Sequence, residues 1–145
     1  MKKSQYYAGI DIGGTKIAGA LTTAKGKIIS RAKVPTPKNA LPRKILSTVV
    51  DLLEEMLDDA DLGRRNLAAV GMGVPGIVDP ATGKVVRTSN MRLSGYDLRK
   101  KMQKALRVRC VIGNDVNLGI LGEKWLGAAK RAKNVVGLFI GTGVG

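Results

Sequence analysis

Short segments of the sequence combine glycines with hydroxyl, amide or carboxylate side chains, which suits the binding of phosphates and sugar hydroxyls. The first segment contains Asp11, Gly13, Gly14, Thr15 and Lys16. A glycine pair in a hairpin lets the backbone approach a phosphate and point N–H groups at it, and Thr15 adds a hydroxyl donor. Asp11 stands just before the turn, where a carboxylate can hold a magnesium ion through water. An ordinary Gly-Gly hairpin without a ligand is an equally good interpretation of this segment alone.

The Asn114-Asp115 pair follows an apolar stretch that predicts a buried strand, and it precedes a predicted helix. Ligands in α/β sheets bind at the carboxyl ends of such strands. Phosphoryl transfer to a hydroxyl needs a carboxylate that accepts the hydroxyl proton, which Asp115 can supply, and the amide of Asn114 can bind a sugar hydroxyl. The spacing alone slightly favours a different interpretation, in which Asp115 only caps the following helix.

The last segment again follows an apolar stretch and again offers glycine amides and a hydroxyl, from Gly141, Thr142 and Gly143. It therefore repeats the chemistry of the first segment. Two Gly-Thr turns on either side of an Asn-Asp pair are harder to explain by chance than any one of them. Together they predict a phosphate-binding site beside a carboxylate.

Residues 71–76 match the glycine pattern of dinucleotide-binding proteins, but their context argues against that function. The pattern requires a helix to begin at its end. Here Pro75 interrupts it, and residues 77–80 predict a loop. We therefore expect no nicotinamide cofactor, and we interpret the segment as a strand that ends in a loop able to lie against a small ligand.

The elements that must position these residues alternate between strands and helices. Strands are predicted at 6–12, 16–22 and 28–34 as an antiparallel meander, then at 67–74, 108–112 and 135–140. Helices are predicted at 41–57, from a cap at Asp97 through 106, and at 117–126, whereas 75–88 is turn-rich. This order predicts an α/β fold in which helices flank a mixed sheet.

Composition narrows the possible functions. The chain has 145 residues, 44% of them hydrophobic, which is enough for a packed core. It has no histidine, which excludes serine-histidine triads and histidine-bound zinc within these residues. The single cysteine, Cys110, lies in an apolar stretch and is expected to be a buried strand residue and not a nucleophile. The sequence has no apolar run long enough to span a bilayer, and its first residues do not form a signal peptide. We therefore expect a cytoplasmic protein with no membrane partner.

The glycine and Asn-Asp motifs together resemble those of the ROK family of repressors and sugar kinases, essentially from end to end. Asp11 to Lys16 is similar to the first phosphate motif of that family, and Gly141 to Gly145 to its second. Residues 113–117 are similar to a Glu-Asn-Asp-Ala-Asn segment of the family. The loop 73–79, Asn90 ahead of Tyr96, and residues 122–127 also resemble family segments. Gly113 and Val116 depart from the family pattern but leave Asn114 and Asp115 intact.

This resemblance implies an actin-like ATPase domain of the ribonuclease-H-like type and the phosphorylation of a glucose-type hexose by ATP with Mg²⁺. Asp115 would be the general base, and Asp11 would assist the metal. The implied sugar contacts are Gly76, Asn90, Asn114 and Asp115, and the implied ATP contacts are Asp11, Gly13, Gly14, Thr15, Lys16, Gly141, Thr142 and Gly143.

Members of this family are about twice as long, so the resemblance implies the N-terminal half of a kinase. We expect residues 1–116 to form one lobe and 117–145 to begin a second. The intact protein is expected to be a homo-oligomer, and the 145 residues alone to have little activity.

Other functions remain open. The chain could belong to a sugar-sensing transcriptional regulator of the same family, although the first predicted strand leaves no room ahead of it for a DNA-binding domain. It could also be a non-catalytic fragment that binds a sugar or a nucleotide. The net charge of +14 can indicate nucleic acid, but few aromatic side chains could stack on bases. We therefore expect at most weak, salt-sensitive nucleic-acid binding, because the basic residues between Arg99 and Arg109 are spread around the helix that ends at 106 and the strand after it.

Overall fold

The computed structural model describes residues 5–88 and 91–140, which form two sheets and three α-helices. The strands are β1 (Tyr6–Ile12), β2 (Lys16–Thr23), β3 (Ile28–Pro35), β4 (Leu67–Val74), β5 (Ile77–Val78), β6 (Val85–Arg87) and β7 (Arg109–Asn114). The helices are α1 (Pro42–Asp59), α2 (Leu98–Leu106) and α3 (Asp115–Trp125), and a short 3-10 helix spans Arg64–Asn66.

The larger sheet has five strands in the order β3-β2-β1-β4-β7. β1, β2 and β3 form the predicted antiparallel meander, whereas β1, β4 and β7 run parallel to one another. The predicted mixed α/β sheet is confirmed. Because β1, β4 and β7 are parallel, their carboxyl ends meet at one edge of the sheet, which is where the candidate site lies.

One face of this sheet packs against α1 and α2 and forms the core. α1 begins at Pro42, whose fixed φ suits the first helical turn. The helix buries the apolar stripe that its periodicity predicts, Ile45, Val49, Leu52, Leu53, Met56 and Leu57. α2 is capped as predicted, since the side chain of Asp97 accepts a hydrogen bond from the backbone N–H of Lys100.

Cys110 is buried in β7, as predicted. Burial raises the pKa of its thiol to about 11. Because the thiolate is the reactive form of cysteine, this residue is a core side chain and a poor nucleophile at neutral pH.

Two segments have a different secondary structure from the one predicted. Residues 75–88, predicted to be turns only, contain the small antiparallel sheet of β5 and β6. The strand predicted at 135–140 was wrong, since residues 135–139 have no strand structure and only Ile140 forms an isolated bridge. Val136, Leu138 and Ile140 are 91%, 73% and 80% exposed, so no described strand shelters or pairs with most of this apolar segment.

α3 begins at Asp115, two residues earlier than predicted, and packs against β4 and β7 on the face opposite the core. The expected division between residues 116 and 117 falls within this helix, and it remains a prediction. Within the two described ranges, no helix has the length and apolar character needed to traverse a bilayer.

Candidate active site

A cleft of about 630 Å³ opens on the face of the sheet that α3 partly covers. Its floor is made of small residues from β1, β2 and β4, and its wall is the start of α3 with Phe139. The lining includes Gly9, Asp11, Ala18, Ala20, Gly71, Gly73, Asp115, Val116, Gly119 and Phe139. Side chains this small leave the cleft open, so a ligand can lie directly against the strands.

Asp11 enters this cleft from β1, and Asp115 enters it from the start of α3, directly after β7, a parallel strand that does not adjoin β1. Asp11 pairs in register with Gly73, and Gly73 pairs with Gly113, two residues before Asp115. A Cβ atom added to Gly73 would lie 3.3 Å from the Cα of Asp115, so the missing side chain leaves room for the start of α3. The sheet therefore places both carboxylates at the same edge, on either side of a glycine.

The electrostatics of Asp11 reflect this arrangement. Burial raises the pKa of Asp11, the negative charge of Asp115 raises it further, and the positive charge of Lys16 acts in the opposite direction. Two carboxylates that repel each other across a cleft form an attractive position for a divalent cation.

The side chain of Asn114 links three parts of the site. Its Oδ1 accepts a hydrogen bond from the backbone N–H of Asn117 at 3.0 Å, so Asn114 is the N-cap of α3. Its Nδ2 donates to the carbonyl oxygen of Gly76 at 3.0 Å and to Oδ1 of Asp115 at 3.1 Å. The interpretation of Asp115 as the helix cap was therefore wrong, because its neighbour has that role.

Asp115 is the first residue of α3 and is half-buried. Its Oδ1 also accepts a hydrogen bond from the backbone N–H of Val116 at 2.9 Å. A carboxylate at a helix N-terminus is stabilised by the helix dipole and held by these donors. Its Oδ2 has no partner within the part of the chain that the structure describes, so this oxygen can face a substrate hydroxyl.

Gly76 holds the loop after β4 in a conformation that other residues rarely adopt. Its φ is +111°, and an added Cβ would collide with the carbonyl oxygen of Arg87. The carbonyl of Gly76 points to Asn114, so this glycine brings the loop against the start of α3.

The first glycine turn lies directly after β1. The N–H of Gly13 donates to the carbonyl of Lys16 at 3.0 Å, which closes the hairpin. Thr36 holds the turn from behind, since its hydroxyl donates to the carbonyl of Gly13 at 2.6 Å and its N–H to the carbonyl of Thr15 at 2.9 Å. Gly14 borders a second cavity of about 340 Å³, beside Thr36 and Arg92.

The structure thus brings together most of the predicted site residues that it describes. Asp11 and Asp115 share the cleft, Asn114 joins Gly76 to Asp115, and the turn from Gly13 to Lys16 adjoins the end of β1. The predicted contacts Asn90, Gly141, Thr142 and Gly143 lie outside the described residues. Sequence inspection missed Thr36, whose only distinguishing feature there is its position between two prolines after a predicted strand.

The donor set fits a magnesium ion with a bound nucleotide better than a metal held by protein alone. Within residues 5–88 and 91–140, no three acidic or cysteine side chains cluster. Magnesium usually takes one or two carboxylates and completes its shell with water and substrate phosphates. Asp11, with Asp115 nearby, offers that kind of site.

Several basic residues on and after α2 lie close together at the surface. Arg99, Lys100 and Lys104 line one surface groove of about 650 Å³ together with Arg109 of the edge strand β7. These four residues come from the helix and from the strand after it, and the groove includes neither Lys101 nor Arg107. No aromatic side chain lines the groove.

Comparison with known proteins identifies the relatives of the chain. The sequence model of the ROK family matches residues 7–145. A glucokinase of Halalkalibacterium halodurans is 32% identical over 141 residues, which are 97% of this chain and 43% of the relative. The xylose repressor of Bacillus subtilis is 32% identical over 144 residues, 99% of this chain and 37% of the repressor.

A solved structure has the same fold. The ROK family glucokinase of Streptomyces griseus, in complex with glucose and AMPPNP, superposes with a TM-score of 0.85 at 31% identity. The match covers 97% of this chain and 43% of that protein. The chain therefore spans less than half the length of these relatives.

Proposed function

The chain belongs to the ROK family, and we propose that it forms the N-terminal half of a kinase that phosphorylates a hexose with ATP. It has the actin-like ATPase fold of the sugar kinases in that family. The observation that supports the proposal best is the placement of Asp11 and Asp115 at one sheet edge, with the glycine turn beside them.

In this proposal Asp115 is the general base. Its carboxylate would orient the sugar hydroxyl and accept the hydroxyl proton. The hydroxyl oxygen would then bond to the γ-phosphorus of ATP while the bond from that phosphorus to the leaving oxygen of ADP breaks. Asn114 holds the carboxylate by its Nδ2 and keeps the loop at Gly76 against it, so the sugar would lie between this loop and α3. Glucose is the favoured hexose, since glucokinases are among the similar proteins.

The residues of the first turn would bind the nucleotide. ATP with Mg²⁺, when bound, would supply the phosphoryl group and neutralise the developing charge. Asp11 would hold the metal through water, and Gly13, Gly14, Thr15 and Lys16 would contact the phosphates. The contacts proposed for Asn90 and for Gly141, Thr142 and Gly143 belong to the same scheme. Further sugar and nucleotide contacts would come from outside these 145 residues.

Replacement of Asp115 tests the proposal in the full-length protein that contains this chain. We expect Asp115→Asn to lower turnover by a factor of about a hundred or more, because a positioned base is lost, while sugar binding is retained. A coupled assay across several hexoses measures the turnover, and calorimetry measures the binding. Asp97→Asn is the matched control, since asparagine caps a helix as well as aspartate does. Wild-type turnover in Asp115→Asn would show that Asp115 is not the base.

A sugar-sensing regulator is the second candidate, because the xylose repressor matches the chain as well as the glucokinase does in identity. The two functions differ in one measurement. A regulator would bind a sugar and change its DNA affinity without consuming ATP, whereas a kinase would produce ADP in proportion to the sugar that it phosphorylates.

A further inference from the structure

Thr36 is the one polar residue that is buried among residues 5–88 and 91–140, with 8% of its surface exposed. It follows β3 directly and lies between Pro35 and Pro37. Burial of a hydroxyl costs free energy unless the group is hydrogen-bonded. The hydroxyl of Thr36 meets this requirement by donating to the carbonyl of Gly13, 23 residues earlier in the chain.

The hydrogen bonds of Thr36 divide the polar groups of the glycine turn into two sets. The carbonyls of Gly13 and Thr15 are both occupied by Thr36, and the N–H of Gly13 is occupied by Lys16. The N–H groups of Gly14 and Thr15 have no acceptor within the described parts of the chain. A phosphate is attracted by N–H groups and repelled by carbonyl oxygens, so this division suits an anion.

We propose that Thr36 is a positioning residue for nucleotide binding, which keeps two carbonyls of the Gly13–Thr15 turn away from the phosphates and leaves its N–H groups available to them. The inference rests on the proposed function, since it takes the turn as the phosphate site. Thr36 acts through the backbone of the turn and does not itself contact the substrate.

A single substitution separates the two contacts of Thr36. Thr36→Val keeps the branched shape and the backbone N–H, but it removes the hydroxyl and leaves the carbonyl of Gly13 without its donor. Thr36→Ser restores the hydroxyl. Thr22→Val is a matched control, because the hydroxyl of Thr22 donates to the carbonyl of Tyr7 in the exposed meander, away from the turn.

Steady-state kinetics of the full-length protein provide the first readout. We expect Thr36→Val to raise the KM for ATP about tenfold, the effect of losing one well-made hydrogen bond, with little change in the KM for the sugar. Thr36→Ser and Thr22→Val should resemble the wild type. An unchanged KM for ATP in a Thr36→Val protein with wild-type unfolding temperature would overturn the inference. If the Thr36→Val protein does not fold, Thr36→Ala replaces it in the experiment, because alanine also lacks the hydroxyl but has no branched side chain.

A nucleotide titration monitored by amide NMR tests this inference independently of the proposed kinase activity. A non-hydrolysable ATP analogue should shift the Gly14 and Thr15 resonances of the wild type, with a dissociation constant about tenfold higher in Thr36→Val. That result would support the positioning by Thr36 even in a protein without turnover. Equal dissociation constants for the wild type and Thr36→Val in an active kinase would overturn the positioning role of Thr36 but not the kinase activity. Turn resonances that do not shift when the analogue is added would have the same meaning.

Discussion

The two faces of the central strands carry different kinds of side chain. On the core face, Ile10, Val70 and Met72 are between 0% and 3% exposed beneath the helices. On the cleft face, the residues that alternate with them are Gly9, Asp11, Gly71 and Gly73. Because neighbouring residues of a strand point to opposite faces, the same segments stabilise the fold and leave space for a ligand.

This contrast explains why the site needs so few side chains. The core face holds the strands in place by burying large aliphatic groups, which contribute most of the folding free energy. The cleft face can therefore be loosely packed and remain accessible to a ligand. Its functional groups are two carboxylates, one amide and the backbone of a turn. Substitutions on the two faces should therefore have different effects.

The largest expected effect is on the core face. Leu53 of α1 is fully buried, so Leu53→Ala should lower the free energy of unfolding by about 2–5 kcal/mol, through lost burial and the cavity left behind. Val111 of β7 is 47% exposed, and Val111→Ala should cost less than about 1 kcal/mol. Urea unfolding of the two variants measures the difference. Equal losses would show that the open face is packed as tightly as the core.

A smaller loss is expected where the loop of the cleft meets α3. Gly76→Ala forces a side chain onto a residue with φ of +111° and against the carbonyl of Arg87, which should cost about 1–3 kcal/mol. The same change should lower turnover, because the loop supplies the acceptor for Asn114. Gly9→Ala is the control for stability, since nothing lies within 4 Å of its added Cβ. Thermal unfolding of Gly76→Ala at the wild-type temperature would contradict the strain argument.

The smallest expected change in the free energy of unfolding is at Asp11, where a substitution should raise it and not lower it. Its pKa is raised by burial and by Asp115, so the folded chain holds the proton more tightly than the unfolded chain does. Stability therefore falls as the pH rises from the ordinary aspartate range, about 4, through the raised pKa of Asp11. Asp11→Asn should raise the free energy of unfolding at pH 7 by at most about 1 kcal/mol, because Asp11 is only partly buried and water screens much of its charge.

Two measurements check the pH dependence of Asp11. The stability gain of Asp11→Asn in urea unfolding should shrink as the pH falls through about 4 and vanish well below it, where the wild-type carboxyl is also neutral in both states. Amide and carboxyl NMR titration should show that Asp115→Asn lowers the pKa of Asp11, since it removes a neighbouring negative charge. A gain that persists unchanged at low pH would mean that the substitution acts through packing and not through charge.

The sequence by itself determined the elements whose patterns are local. The apolar stripe of α1, the meander of β1 to β3 and the cap at Asp97 depend on residues a few positions apart, and all were predicted correctly. The candidate residues Asp11 and Asp115 were also found from the sequence, because glycine turns and an Asn-Asp pair after apolar strands are local patterns.

Only the tertiary structure decided how these residues act on one another. The bond from Asn114 to Gly76, the hydrogen bonds from Thr36 to the glycine turn and the position of Asp11 opposite Asp115 all join residues that lie far apart in the sequence. The missing strand at 135–139 has the same origin, since its apolar composition predicts a strand but no described strand pairs with it. Residues far apart in sequence meet only through strand order and register, which no local pattern encodes.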